Sequence, residues 1–210
     1  MADTRTKLMD AALRVLRDRG VAAASARVIG TEAGVNQALV FYHFGTVTDL
    51  LAAACRYGSE ARVAAYRERF ATVGSLPELL AVGRSLHEQE RQLGNVAVLG
   101  QALAGAQGDP ALRPAVAEAL DRWVAELDSV LARLLADSPL AGIADSTGIA
   151  RAVAAAFIGL ELYEGVDAPA AGDAFAALER LAVLAEVVDD LGPVARRALR
   201  SRLRRAGAPA

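Results

Sequence analysis

The chain has one cysteine, Cys55, among 210 residues, and only two histidines, His43 and His87. A lone cysteine excludes an internal disulfide and a cysteine-rich zinc cluster. Two histidines leave little apparatus for acid–base catalysis. Aromatic residues are scarce at 5%, although apolar residues make up 54%. The apolar content therefore rests on Ala, Leu and Val, a mixture of high helix propensity that packs closely. Period-two alternation of β-branched residues is nearly missing, so no sheet is expected. No stretch reaches the roughly 18 uninterrupted apolar residues of a membrane span. The longest uncharged run, residues 92–108, contains Asn95, Gln101, Gln107 and four glycines, which suit a packed soluble helix. Asp3, Arg5, Lys7 and Asp10 interrupt the N-terminus where a signal peptide needs an apolar core. A cytoplasmic protein without a membrane partner is the expectation.

Net charge is −2, and its distribution says more than its size. Residues 1–70 carry +3, residues 71–191 carry −11, and residues 192–210, with six arginines and no acid, carry +6. An acidic middle between basic ends is compatible with DNA contact at one end.

Punctuation along the chain predicts about ten helices. The first spans about residues 4–19, with Leu8, Ala12, Val15 and Leu16 on one face, and stops at Gly20. Ser25 is an N-cap for a short helix ending near Ala33-Gly34, and Asn36 caps a second over residues 37–44. Thr46-Val47-Thr48-Asp49 has the form of a capping box opening a long helix. Further helices are predicted over about 77–93, 95–108, 111–136, 147–165 and 173–191, followed by a short basic one. Loops are expected over 137–146 and, around Pro169, over 166–172. No repeat of fixed period occurs, which excludes a solenoid.

The functional signal lies in residues 25–45. Two short helices joined by Gly34-Val35-Asn36 form what a helix-turn-helix requires: glycine permits positive φ, valine plugs the core and asparagine caps the second helix. Ile29, Ala33, Val35, Val40 and Phe44 make the small core, and Ala33 stays small where the helices cross. Gln37, Ala38, Leu39, Phe41, Tyr42 and His43 then point outward or flank the helix. The amides of Asn36 and Gln37 suit base edges, glutamine suiting adenine, while Leu39 and Phe41 offer apolar contact to thymine methyls. Tyr42, His43 and Arg27 are candidate phosphate donors.

Ala33-Gly34-Val35, then Tyr42-His43-Phe44, then Asp49-Leu50-Leu51, with the preceding "LMDAALRVLRDRG", resembles the tetracycline-repressor (TetR) family of bacterial regulators over about residues 5–51. The resemblance implies an all-α fold, with a three-helix DNA-binding domain over residues 1–48 and a helical ligand-sensing and dimerisation domain over 49–210. It implies that residues 37–43 form the recognition helix and that the N-terminus of the first helix, around Arg5, contacts phosphate. Ser25 joins these DNA-side candidates. Two departures stand out. Many relatives have Ser-Lys after the aromatic-His-Phe motif, where this chain has Thr46-Val47; relatives often have Thr-Thr or Ser-Thr before the second helix, where it has Ala24-Ser25. The missing lysine predicts a weaker electrostatic grip.

One short reading head binds weakly, so a homodimer on neighbouring major grooves about 34 Å apart is expected, on an operator that is palindromic. Ile149, Val153, Phe157 and Leu160 form one stripe, and Phe175, Leu178, Leu181, Leu184, Ala185 and Val188 a broad apolar face. The resemblance implies that these pack as a four-helix bundle across a two-fold axis. Tyr66, His87, Asn95, Gln101, Trp123, Glu161 and Tyr163 are candidate lining residues for a small-molecule effector, whose leverage is its differential affinity for a state with mis-spaced heads. The function predicted is a repressor released by that effector.

Rival readings are weaker. Gly83-Arg84-Ser85-Leu86-His87 imitates a nucleophile elbow, but it ends in histidine and falls within a predicted helix. His87-Glu88 lacks the second histidine of a zinc helix, and no phosphate-binding glycine loop occurs. Neither an enzyme nor a cofactor or metal is therefore expected. The C-terminal arginines suggest an interaction module or a membrane-surface protein, against the simpler reading of a solvated last helix that complements its own dipole. Cys55 reads as a small core filler.

Overall fold

The computed structural model describes residues 3–136, 138, 145–189 and 191–206; several side chains of the last two helices, Leu184, Ala185 and Val188 among them, lie outside that description. Ten α-helices and no strand occur among the described residues. They are α1 (Thr4–Arg19), α2 (Ala26–Ala33), α3 (Ala38–Phe44), α4 (Val47–Thr72), α5 (Leu76–Gln92), α6 (Asn95–Gly108), α7 (Arg113–Ala136), α8 (Ser146–Glu164), α9 (Ala168–Asp189) and α10 (Pro193–Ala206). A 3₁₀ turn, Val21–Ala23, follows α1. The loop predicted over 137–146 lies mostly outside the described residues.

The chain forms two compact units. The first comprises Met1–Ala65 and Glu88–Arg122, the second Tyr66–His87 and Trp123–Ala210. In the first unit α1 presents Leu8, Ala11, Ala12, Val15 and Leu16, all buried, to Ile29 of α2, Val40 of α3 and Leu50 and Ala54 of α4. Ala102 and Ala106 of α6 and Ala115 and Val116 of α7 complete this core. Its small residues let helices approach closely, and each fully buried Leu, Ile or Val contributes about 1.5–3 kcal/mol. The second unit has its own core of Tyr66, Phe70, Val73, Leu79, Leu86, Val124, Val130, Leu131 and Ala150.

One boundary departs from expectation. The loop predicted over 166–172 is largely helix, because α9 begins at Ala168. Asp167 Oδ1 accepts the Ala170 N–H at 3.1 Å, an N-cap interaction. Pro169 falls in the first turn, where its missing N–H leaves no intrahelical bond unmade. No single described helix is long and apolar enough to cross a membrane.

Candidate nucleic-acid interface and sensing residues

Helix α2 starts from Ser25, whose Oγ accepts the Val28 N–H at 3.3 Å, and ends on Gly34 in the left-handed conformation, φ +68° and ψ +31°. The Val35 N–H then bonds back to Gly30 O at 2.9 Å, closing the helix end. Asn36 Oδ1 accepts the Ala38 N–H at 2.8 Å, so its side chain starts α3 as well as standing exposed. The regular helix begins one residue later than predicted, with Gln37 as its N-cap in helical conformation.

Helix α2 approaches the turn tightly at Gly30. A Cβ there would lie 3.1 Å from Gln37 N, Gln37 Cα and Val35 O. The sequence reading places close crossing at Ala33, which is half-buried and packs against the core, and Gly30 is a second tight position. The available signal was a glycine inside an eight-residue helix, an unfavourable residue that packing has to justify.

Val40 is fully buried and fixes the rotation of α3. The opposite face presents Gln37, Ala38, Phe41 (54% exposed) and Tyr42 (81% exposed). Leu39 and His43 are half-buried at its flank, and Leu39 packs against the core, leaving only part of it outward. The Tyr42 and His43 rings meet edge-on at 5.0 Å, and Arg5 lies over the Phe44 ring, 4.7 Å from its centroid. Arg5 Nη1 also donates to His43 O at 3.5 Å, which stations this cation at the C-terminal end of α3. On the other side Arg27, Thr31, Val35, Asn36 and Gln37 line an open concavity of about 470 Å³. Arg14 Nε bonds Glu32 Oε1 at 2.8 Å, tying α1 to α2 and removing that arginine from the cations free to face a phosphate. Thr46 caps α4: its Oγ1 accepts the Asp49 N–H at 3.0 Å and donates to Asp49 Oδ2 at 2.6 Å.

The candidate lining residues sort into separate groups. Gln101 and Asn95 lie in the first unit, where Gln101 Oε1 accepts the Val21 N–H at 2.9 Å and Asn95 Nδ2 donates to Glu90 Oε2 at 2.7 Å. In the second unit Tyr66 and Trp123 have ring centroids 6.0 Å apart. His87 and Glu161, both buried, approach at 3.4 Å, and Glu164 takes the other imidazole nitrogen at 2.5 Å. Phe157 and Phe175 flank that imidazole at 6.0 and 5.6 Å. Tyr163 is about half exposed.

Of the residues proposed for a subunit joint, Ile149 and Phe157 pack against the second unit's own core, while Val153, Leu160, Phe175 and Leu178 are half-buried. Leu181 is 60% exposed. Among the described side chains of α8 and α9, Leu162, Tyr163, Val183 and Val187 are also exposed, as are the small residues Ala152, Ala155, Ala156 and Gly159. Cys55 is half-buried, and burial pushes its thiol from 9.0 up to about 11, the behaviour of an inert packing group.

Residues 8–54 match the family model described as bacterial regulatory proteins, tetR family. A search of the curated proteins found no match. Among solved structures, a TetR-family transcriptional regulator from Rhodococcus sp. is similar at TM-score 0.72 and 23% identity, over 90% of this chain and 100% of that one. The multidrug binding protein EbrR, complexed with imidazole, is similar at TM-score 0.58 and 26% identity, over 100% and 97%. The regulator FadR from Bacillus subtilis, in complex with stearoyl-CoA, is similar at TM-score 0.70 and 16% identity, over 85% and 97%. Residues 8–54 thus match the helix-turn-helix segment of the tetR family of bacterial regulatory proteins, and the chain shares the all-helical fold of these structures.

Proposed function

We propose that this regulator is a homodimeric repressor that holds a palindromic operator with residues 1–48 and releases it when a small molecule binds within residues 49–210. The observation that carries the reading is the division of α3 into a buried anchor, Val40, and an outward face of Gln37, Ala38, Phe41 and Tyr42. Aromatic rings this exposed are costly on a solitary surface and suit a groove that covers them. Gln37 and Ala38 read base edges, Asn36 spends its oxygen on the cap and offers its NH₂, and Phe41 with the free part of Leu39 meets thymine methyls. Tyr42, His43, Ser25, Arg27 and Arg5 ring this face as phosphate donors.

The exposed apolar surface of α8 and α9 supports dimerisation, with Leu162, Leu181, Val183 and Val187 as its large residues and the small residues of α8 allowing close approach. Effector candidates centre on the second unit's aromatic and polar pairs, Tyr66 with Trp123 and His87 with Glu161. FadR with stearoyl-CoA and EbrR with imidazole support a small-molecule effector.

The test is selection of duplexes from a random-sequence library by the full chain, followed by affinity measurement on the enriched sequence. Tyr42→Ala is expected to weaken that affinity roughly 10- to 100-fold, the worth of a hydrogen bond to a charged group, with an unchanged melting temperature. Failure to enrich any duplex, or unfolding of Tyr42→Ala, sinks the reading.

A further inference from the structure

We propose that α6 is a two-point mount for the helix-turn-helix, with Gln101 and Asp109 as positioning residues for operator binding. The proposal rests on the reading of α3 as the DNA-reading helix. The reading head is short, and its orientation depends on how the chain enters and leaves it. Entry is the break after α1: Gly20 at φ +77°, then the 3₁₀ turn Val21–Ala23. The Val21 N–H in that turn is claimed by Gln101 Oε1 at 2.9 Å, from a residue 80 positions away. The approach is tight, because a Cβ on Gly105 of the same helix would lie 3.0 Å from Val21 Cγ2. Exit is the start of α4, where Thr48 Oγ1 donates to Asp109 Oδ2 at 2.9 Å.

Asp109 is itself held. Its N–H donates to Gly105 O at 2.8 Å, and its Oδ1 accepts the Ala111 N–H at 2.9 Å. Gln101 and Asp109 are eight residues apart along one helix and its cap, a rise of about 12 Å. Both ends of the segment 21–48 are thus referenced to a single rigid rod, and neither mount requires contact with a base or phosphate. Groove hydrogen bonds weaken steeply with angle, so a small rotation of the head costs specific contacts before it costs phosphate attraction.

The full chain, with Gln101→Met, Gln101→Glu and Thr48→Val variants, is titrated against the enriched duplex and a scrambled duplex over a range of salt. Gln101→Met keeps the length of the side chain and removes the acceptor, whereas Gln101→Glu restores an acceptor. Gln101→Met and Thr48→Val are expected to lose on the order of tenfold on the enriched duplex, the worth of one hydrogen bond, with little change on the scrambled duplex or in the salt slope. Gln101→Glu is expected to recover most of that loss, which a simple packing role for residue 101 does not predict. Gln101→Met binding like the wild type, or equal losses on both duplexes with no rescue by Gln101→Glu, overturns the mount. A wild-type chain that enriches no duplex instead overturns the underlying reading of α3.

Discussion

Two glycines in the reading head carry different physical duties, and one substitution at each separates them. Gly34 sits at φ +68°, and a Cβ placed on it would meet no atom within 4 Å, so its duty is conformational. Gly34→Ala is expected to lower unfolding stability by about 1–2 kcal/mol in urea titrations, the penalty of an L-residue in the left-handed region. Gly30 lies in ordinary helix and is needed for space against Gln37 and Val35 backbone. Gly30→Ala is therefore expected to push the start of α3 outward, weakening operator binding by more than its loss of stability accounts for. Equal effects on both measurements remove the distinction. Cys55 supplies a pH prediction. Burial raises its thiol from 9.0 to about 11, so the folded state keeps a proton that the unfolded chain gives up earlier. That stability is fully present below pH 9 and is lost as pH rises from about 9 to 11. A Cys55→Ala variant is expected to show a flatter decline over that window in melting experiments, and Cys55 itself to resist alkylation until unfolding.

At the scale of elements, helix ends were legible and helix neighbours were not. Ser25, Gly34 and Thr46 each carry local chemistry and each caps or ends a helix as that chemistry requires, while Asn36 accepts the Ala38 N–H just ahead of the N-cap Gln37. The inward stripe of α1 was equally readable, because Arg14, Arg17 and Asp18 mark its other side. Helix α8 offered no such mark. It is apolar nearly all round, so periodicity leaves its rotation open. Ile149 and Phe157, in the stripe read as a joint, are partly buried against the second unit's core, and the exposed side carries Ala152, Ala155, Gly159 and Leu162. Pro169 misled in another way, since a proline reads as a break and here sits in a helical first turn. Long-range caps are invisible to any local pattern. Arg133 of α7 donates to the carbonyls of Phe70, Ala71 and Val73, at 3.0, 3.4 and 3.3 Å, and so closes the C-terminal end of α4. Arg133→Met preserves much of the stem and removes these donors. It is expected to cost about 1 kcal/mol and to speed amide hydrogen exchange in the last turn of α4 while α1 stays protected.

At the scale of the whole molecule, the separation of charge bears on the proposed binding of DNA. Residues 1–70 carry +3 against −11 over residues 71–191, so duplex attraction concentrates on the N-terminal part while the acidic stretch repels phosphate. A modest positive charge makes each remaining cation count. Arg14 is engaged by Glu32, and position 47, where relatives often place a lysine, holds a valine partly buried against the core. The slope of log affinity against log salt measures phosphate contacts directly, at about −0.9 for each one neutralised. Val47→Lys adds a cation whose stem can keep much of the valine's packing while the ammonium reaches solvent. In a dimer with both heads on one operator, the slope is then expected to steepen by about 1.8, and affinity to rise most at low salt. The base preference of the selected duplex should stay the same, because the new contact carries no sequence information. An unchanged slope shows that residue 47 does not face a phosphate, and a steepening of only about 0.9 shows that one head alone is engaged.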